Sequence, residues 1–265
     1  MTAMDTADSV AFVALANRLA DAAGVVIRRY FRADVAVESK ADESPVTVAD
    51  REAEQAMRAL IEAAFPEHGI FGEEFPVKPA QGPWTWYLDP IDGTKSFISG
   101  IPLFGTLIAL VRDCRPVLGL MDQPVSGERW LAAPGGGVTL NGKAIRARRC
   151  PSLGEASLFT TGLEYFGAAG AEAFRRLSAE VRLTRFGADC YAAGMLAAGF
   201  IDIMVEANVK EFDVAALVPI VEAAGGVMTD WQGRPLVFDG APEVPTMIAC
   251  GDPALLEPAL RLLSS

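Results

Sequence analysis

The chain has 265 residues, 51% of them hydrophobic, a formal net charge of −11 and a single histidine. That length suits one large domain or two closely packed lobes, and the apolar content excludes intrinsic disorder. The acidic balance excludes nucleic acid as a partner, because phosphate backbones are held by clustered Lys and Arg.

The first stretch, MTAMDTADSV, carries Asp5 and Asp8 where an export signal needs basic residues, so none is expected. No uninterrupted apolar run approaches the roughly 18 residues of a membrane span. From Asp8 to Arg32, residues Val10, Val13, Leu15, Leu19, Val26, Ile27 and Tyr30 recur at helical spacing and predict a long amphipathic helix. A second helix is expected from Thr47 through Ala53, Met57, Leu60 and Ile61 to Phe65, stopped by Pro66.

The middle of the chain is strand-rich. WTWYL is followed by GTLIALVRD and VLGLMDQP, joined by a tight turn around Cys114 to Pro116. ERWLAA and GGVTLNGKAI continue the pattern, with Asn141-Gly142 as a hairpin turn. Past about residue 155 strands alternate with helices. ASLFTT and VRLTRF flank a helix near Ala171 to Glu180, and a helix over Asp189 to Ala198 precedes FIDIMVE. A helix over Asp213 to Ala224 precedes GGVMTD and TMIAC, and one over Pro253 to Leu263 closes the chain. Such alternation implies a sheet covered by helices. No repeat or long linker intervenes, so a lobe over 1–150 and one over 151–265 should pack as a single unit with a ligand cleft between them. Cys114, Cys150, Cys190 and Cys250 contain no C-x-x-C pair and read as free thiols of a reducing compartment, the cytoplasm.

Four stretches set acids beside structural punctuation: SPVTVAD ending at Asp50, GIFGEE with Glu73 and Glu74, LDPIDGT with Asp89 and Asp92, and EFDVAA with Asp213. Three have ordinary readings. Thr47-x-x-Asp50 fits a helix capping box, Glu73 and Glu74 a solvated loop, and Asp213 an N-cap. Asp89 and Asp92 resist one. An apolar strand delivers Asp89 beside the core, and Pro90 lacks a donor, so the chain should leave the sheet there. Gly93 then permits close backbone approach to a ligand, and Thr94 adds a hydroxyl. Capping explains one of two repelling carboxylates and not both. Hard divalent cations explain both, since Mg²⁺ takes carboxylates, waters and phosphate oxygens. His68, in FPEHGIFGEE, reads as a surface turn residue. A Ser-His-Asp hydrolase needs its histidine near a nucleophile, and no G-x-S-x-G occurs; a zinc hydrolase needs several His or Cys ligands, and no P-loop motif occurs either.

In that order SPVTVAD, GEE, LDPIDGT and FDVAA resemble the signatures of the inositol monophosphatase-like phosphatases, over about residues 40 to 245. The resemblance implies an α/β (α+β) fold, the layered αβαβα sandwich of the sugar phosphatases, as a homodimer. It also implies hydrolysis of a small phosphate monoester with two or three Mg²⁺ ions, Mn²⁺ being the alternative. Carried over by motif, Glu73, Asp89 and the Ile91 carbonyl would hold a first ion. Asp89, Asp92 and Asp213 would hold a second, and Glu73 with Asp50 a third. Thr94, paired with Glu73 or Asp50, would orient the attacking water, and the Gly93 and Thr94 N–H groups would hold the phosphate. The chemistry implied is direct displacement, with metal ions activating the water and stabilising the leaving alkoxide.

DGTKSFISGIPLFGTLIALV, LGLMDQPVSGERW, FGADCYAAGMLAAGFIDIMVEA and AALVPIVEAAGGVMTDWQG are most similar to the histidinol-phosphate phosphatase branch, which acts in histidine biosynthesis. Lys95 and Phe212 stand where the general inositol phosphatases usually carry Thr or Ala, and Trp. A substrate with an ammonium and an imidazole calls for carboxylates in its pocket. Asp189 is one candidate, with N-capping of its helix as the alternative; Glu206 is another, with Lys210 or solvent as the alternative partner. Rivals within the same chemistry are an inositol-1-phosphatase and a broad sugar phosphatase acting on fructose 1,6-bisphosphate; a phosphoadenosine phosphatase would need a basic or aromatic nucleotide pocket. A non-catalytic sensor of metal or sugar phosphate is the alternative of a different class, and its mark, a lost metal ligand, is not found.

Overall fold

The computed structural model describes residues 6–33, 37–39, 45–241 and 243–264; Asp5 and Ser44 lie outside them. The chain opens with α1 (Thr6–Tyr30), a short antiparallel pair β1 (Val37–Ser39) and β2 (Pro45–Thr47), and α2 (Val48–Ala64). A seven-stranded sheet follows in chain order. It contains β3 (Gly69–Gly72), β4 (Trp84–Asp92), β5 (Gly105–Arg112), β6 (Arg115–Gln123), β7 (Glu128–Ala133), β8 (Gly137–Leu140) and β9 (Lys143–Ala144). The one-turn helix α3 (Thr94–Ile98) separates β4 from β5, and only the β3–β4 pair is parallel.

The second sheet has β10 (Ser157–Thr160), β11 (Leu183–Phe186), β12 (Ile203–Lys210), β13 (Val227–Thr229) and β14 (Glu243–Cys250), in the order β11-β10-β12-β14-β13. β10, β11 and β12 are parallel, so helices α4 (Gly167–Glu180) and α5 (Asp189–Ala197) serve as crossovers. α6 (Glu211–Val214) and α7 (Leu217–Ala223) lead from β12 to β13, and α8 (Leu256–Leu263) ends the described chain.

Strand periodicity builds the layers. In β4, Trp86 and Leu88 face α1 and α2 in one core, while Tyr87 and Asp89 face the other way. In β12, Ile203 and Val205 pack on α4 and α8, while Met204 and Glu206 turn inward. α5 and α7 fill the space between the two inward faces, with Ala193, Leu196, Leu217 and Ile220 buried there. The result is the αβαβα sandwich. Where the sheets are covered on both faces, as in β4, β5 and the first half of β12, the strands read as continuous apolar runs. The inward faces carry Asp89 and Glu206 toward each other.

Several local expectations are corrected. Pro90 does not take the chain out of the sheet: the β4–β5 register shifts between Asp89 and Asp92, and pairing resumes at Asp92 opposite Gly105. A bulge accommodates a residue without a donor by leaving it unpaired. The β5–β6 turn is Asp113-Cys114, both at positive φ, and Arg115 and Pro116 belong to β6 rather than to the turn. The expected Asp213–Ala224 helix is two helices, α6 and α7. His68 is not a surface residue. It is 5% exposed, stacked on Phe65 at 4.6 Å, and its Nδ1 accepts from Trp86 Nε1 at 3.1 Å. α1 also differs: over Asp8–Tyr30 it is long and apolar enough to cross a membrane by length and composition. Arg18 and Asp21 interrupt its apolar runs, yet its average stays apolar. Its Phe12, Leu15, Leu19, Ala23 and Ile27 are buried in the core shared with α2 and the first sheet.

Candidate active site

The acids meet where β4, β12, α5 and α6 converge. Oxygens of Asp89, Asp92 and Asp213 lie within 4.8 Å of one another. They border a cleft of about 650 Å³ whose wall also includes Glu73, Ile91, Gly93 and Thr94 from the first half of the chain. Asp189 and Glu206 line it from the second half. The carboxylate of Glu73 lies close enough to that of Asp89 to raise its pKa. Asp50 is 1% exposed, and its Oδ2 accepts from the Thr47 N–H at 2.8 Å and Oγ1 at 2.6 Å. The capping box is therefore present.

Each acid has a local reason for its position. Asp89 Oδ1 accepts the Ile91 N–H at 2.9 Å, and Thr106 Oγ1 donates to Pro90 O at 2.8 Å, which together hold the bulge. Asp92 Oδ2 accepts the Cys190 N–H of α5 at 2.6 Å, so a residue of the first sheet satisfies the first turn of a helix in the second half. The alternative reading of Asp189 as N-cap therefore does not hold: it lies inside the helix at φ 45° and makes no capping bond. Asp213 is not an N-cap either; it is the third residue of α6 and accepts the Lys210 N–H at 2.7 Å. Gly93 precedes α3 at φ +92°, and a Cβ there would come within 3.1 Å of the Asp189 carboxylate and Leu103 O, so only glycine fits. Thr94 Oγ1 donates to Ile91 O at 3.1 Å.

Glu73 is placed by a residue the sequence reading did not single out. Glu54 on α2 is fully buried, pairs with Arg58 at 2.7 Å and accepts the Glu74 N–H at 2.7 Å. The loop thus wraps a buried carboxylate, and a Cβ on Gly72 would fall 2.1 Å from Glu54 Oε1. Gly72→Ala is expected to lower Tm by several degrees, about 2–4 °C for each kcal/mol, and to weaken metal-dependent turnover. A parental melting curve with parental turnover would show that the loop does not need this contact.

Electrostatics follow from the crowding. Burial first, then the neighbouring carboxylates, push Asp89 and Asp213 well above the usual range. Burial, then Asp189, raises Asp92 to about 7. These acids cannot all ionise together without a cation. The donors are all hard oxygen, with no imidazole or thiolate among the three, which fits a hard divalent cation.

A second pair of acids lines the same cleft. Glu206, 3% exposed, accepts from Thr161 N at 2.7 Å, Thr161 Oγ1 at 3.0 Å and Thr160 Oγ1 at 3.2 Å. Neither Lys210 nor solvent is its partner: Lys210 Nζ reaches Glu243 at 3.4 Å. Burial raises Glu206 to about 8, with Asp189 adding repulsion. Asp189 accepts from Ser96 Oγ at 3.1 Å. Thr161 and Ser96 were not legible as site residues, because a hydroxyl in TTG or TKSF carries no distinctive spacing. Lys95 closes the rim, its Nζ 3.4 Å from Glu164 and 4.7 Å from the Tyr165 ring centroid.

Residues 8–261 match the inositol monophosphatase family. The chain is 44% identical over 258 residues to the bifunctional phosphatase IMPL2, chloroplastic, of Arabidopsis thaliana, covering 95% of this chain and 75% of that one. It is 38% identical over 228 residues to a histidinol-phosphatase of Chlorobaculum parvum, covering 85% and 88%. A solved structure of an inositol monophosphatase from Zymomonas mobilis superimposes with a TM-score of 0.87 at 47% identity, covering 99% of this chain and all of that one.

Proposed function

Because the chain belongs to the inositol monophosphatase family of phosphatases, we propose that it hydrolyses histidinol phosphate with Mg²⁺ in this cleft. Glu73, Asp89 and the Ile91 carbonyl would hold one ion, Asp89, Asp92 and Asp213 another, and Glu73 with Asp50 a third, Mn²⁺ being the alternative metal. When bound, the ions supply a water of lowered pKa and charge to stabilise the leaving oxygen.

The chain's own residues supply the rest. The backbone N–H groups of Gly93 and Thr94 face the phosphate at the start of α3, where donors have no helical partner. Thr94 Oγ1, steered by the Ile91 carbonyl, keeps its lone pairs for the attacking water. Burial of the acids excludes competing solvent and strengthens each of these contacts.

The observation that carries the substrate is the Asp189–Glu206 pair. Two carboxylates lining one cleft, that of Glu206 buried, favour a cationic group between them, and histidinol phosphate brings an ammonium and an imidazole. The name borne by the Zymomonas mobilis structure favours inositol phosphate as the second reading, since carboxylates also accept hydroxyl hydrogens.

Phosphate release from histidinol phosphate, inositol 1-phosphate and fructose 1,6-bisphosphate, with and without EDTA, separates these readings; preference for inositol 1-phosphate would overturn the first. Asp189→Asn is expected to raise KM for histidinol phosphate about tenfold or more, the loss of one charged hydrogen bond. Glycerol 2-phosphate, which has no cation, should be much less affected. Equal losses on both substrates would remove Asp189 from recognition.

A further inference from the structure

We propose that Glu164 and Tyr165 form a subsite for a planar, N–H-bearing ring of the imidazole type at the rim of the acidic cleft, and that the ammonium of Lys95 fills it until substrate arrives. This rests on the substrate proposed above: with its ammonium taken by Asp189 and Glu206, histidinol phosphate still presents an imidazole. Lys95, Glu164 and Tyr165 all line the cleft that holds the clustered acids. Lys95 Nζ lies 4.7 Å from the centroid of the Tyr165 ring and 3.4 Å from Glu164 Oε1. An aromatic face beside a carboxylate suits such a ring, which stacks on the one and donates its N–H to the other.

The subsite is built on fixed backbone. Glu164 and Tyr165 belong to a one-turn 3₁₀ helix (Leu163–Tyr165) that follows β10. The Tyr165 carbonyl accepts from Asn208 Nδ2 at 2.5 Å, which ties the turn to β12. Phe166, next in the chain, is buried with its ring 5.4 Å from Phe174 and 5.7 Å from Trp231. Gly162 gives the carboxylate its place, since a Cβ there would fall 2.2 Å from Glu164 Oε2. At φ −177° Gly162 is in extended backbone that any residue adopts, so it is the space, and not the turn, that requires glycine.

The present occupant is held loosely. The side chains of Lys95 and Glu164 are 57% and 61% exposed, and an ion pair in that setting contributes little to stability. Water competes for both charges, so exchanging the lysine for another partner costs little. A ring laid on Tyr165 would shield the same contacts from water, and attraction between a cation and an aromatic face grows when it is desolvated.

The test is titration calorimetry on the full chain with Mg²⁺, using histidinol and, separately, inorganic phosphate as probes. Glu164→Gln and Tyr165→Leu are each expected to raise the Kd for histidinol about 3- to 10-fold, with little change in that for phosphate. Gly162→Ala, which keeps the charge and moves the carboxylate, should act as Glu164→Gln does. Lys95→Met should lower the Kd for histidinol about twofold or more, because a competitor is gone. Parental histidinol affinity in both Glu164→Gln and Tyr165→Leu overturns the subsite. Equal weakening toward both probes overturns it too, as general loosening. An unchanged histidinol Kd in Lys95→Met overturns the filling by lysine. If Tyr165→Leu does not fold, parental affinity in Glu164→Gln and Gly162→Ala overturns the subsite. A parent that binds no histidinol at all overturns the substrate reading, and this one with it.

Discussion

Asp92→Asn is expected to fold as the parent does and to lose turnover by about 10²- to 10³-fold or more, without rescue by added Mg²⁺. The asparagine carbonyl can still accept the Cys190 N–H, so the cap on α5 and the junction it makes between the two halves survive. What is lost is a charge within 4.8 Å of two other acids. A neutral amide is a weaker ligand for a hard cation, and raising the metal concentration replaces neither the charge nor the geometry. Without metal the variant should be at least as stable as the parent, because one member of a repelling cluster has become neutral. Asp92→Ala, which removes the cap too, should lose stability as well as turnover. Steady-state phosphate release and thermal melts measure both effects; parental kcat in Asp92→Asn would remove this residue from the chemistry.

In EDTA, thermal stability is expected to fall as pH rises from about 4 to 8, with Mg²⁺ restoring most of it at the upper end. Asp92 is raised to about 7 and Glu206 to about 8, and Asp89 and Asp213 are raised well above the usual carboxylate range by burial and then by neighbouring carboxylates. A carboxyl with a folded-state pKa above its unfolded value binds more protons folded than unfolded between the two. Its contribution is therefore complete below the ordinary carboxylate range and is lost as pH climbs to the folded pKa. At about 2–4 °C per kcal/mol, a loss of a few kcal/mol lowers Tm by about 5–10 °C. His68 works in the opposite direction, because burial lowers its pKa and its protonation disfavours the fold at acid pH. Mg²⁺ should leave that part unchanged, so the difference between melts with and without metal isolates the acidic cleft. A Tm independent of Mg²⁺ at pH 8 would mean that the acids are not a cation site.

Most of the elements were legible because their signals are local. The 3.6-residue recurrence in α1, the Thr47 cap of α2 and the Asn141-Gly142 turn each depend on a few neighbouring residues. The acids around LDPIDGT were legible for a related reason, since a like-charge pair three residues apart needs an explanation wherever it folds. His68 failed because its setting is made by Trp84, Trp86 and Phe12, which are distant in sequence. Glu54 failed similarly: on α2 it reads as one more surface acid, and only Gly72 and Glu74 brought against it give it a task.

By itself, the sequence determined the chemistry available to this protein: hard oxygen donors, one histidine, and strands apolar enough to be buried on both faces. Only the tertiary structure decided which acids meet. Asp92 is close to Asp213 because β4 and α6 are packed together, and Asp189 and Glu206 line one cleft because α5 packs against β12. Spacing along a chain sets which face a side chain leaves, but contact between faces depends on how layers stack, and that is settled by the packing of the whole core.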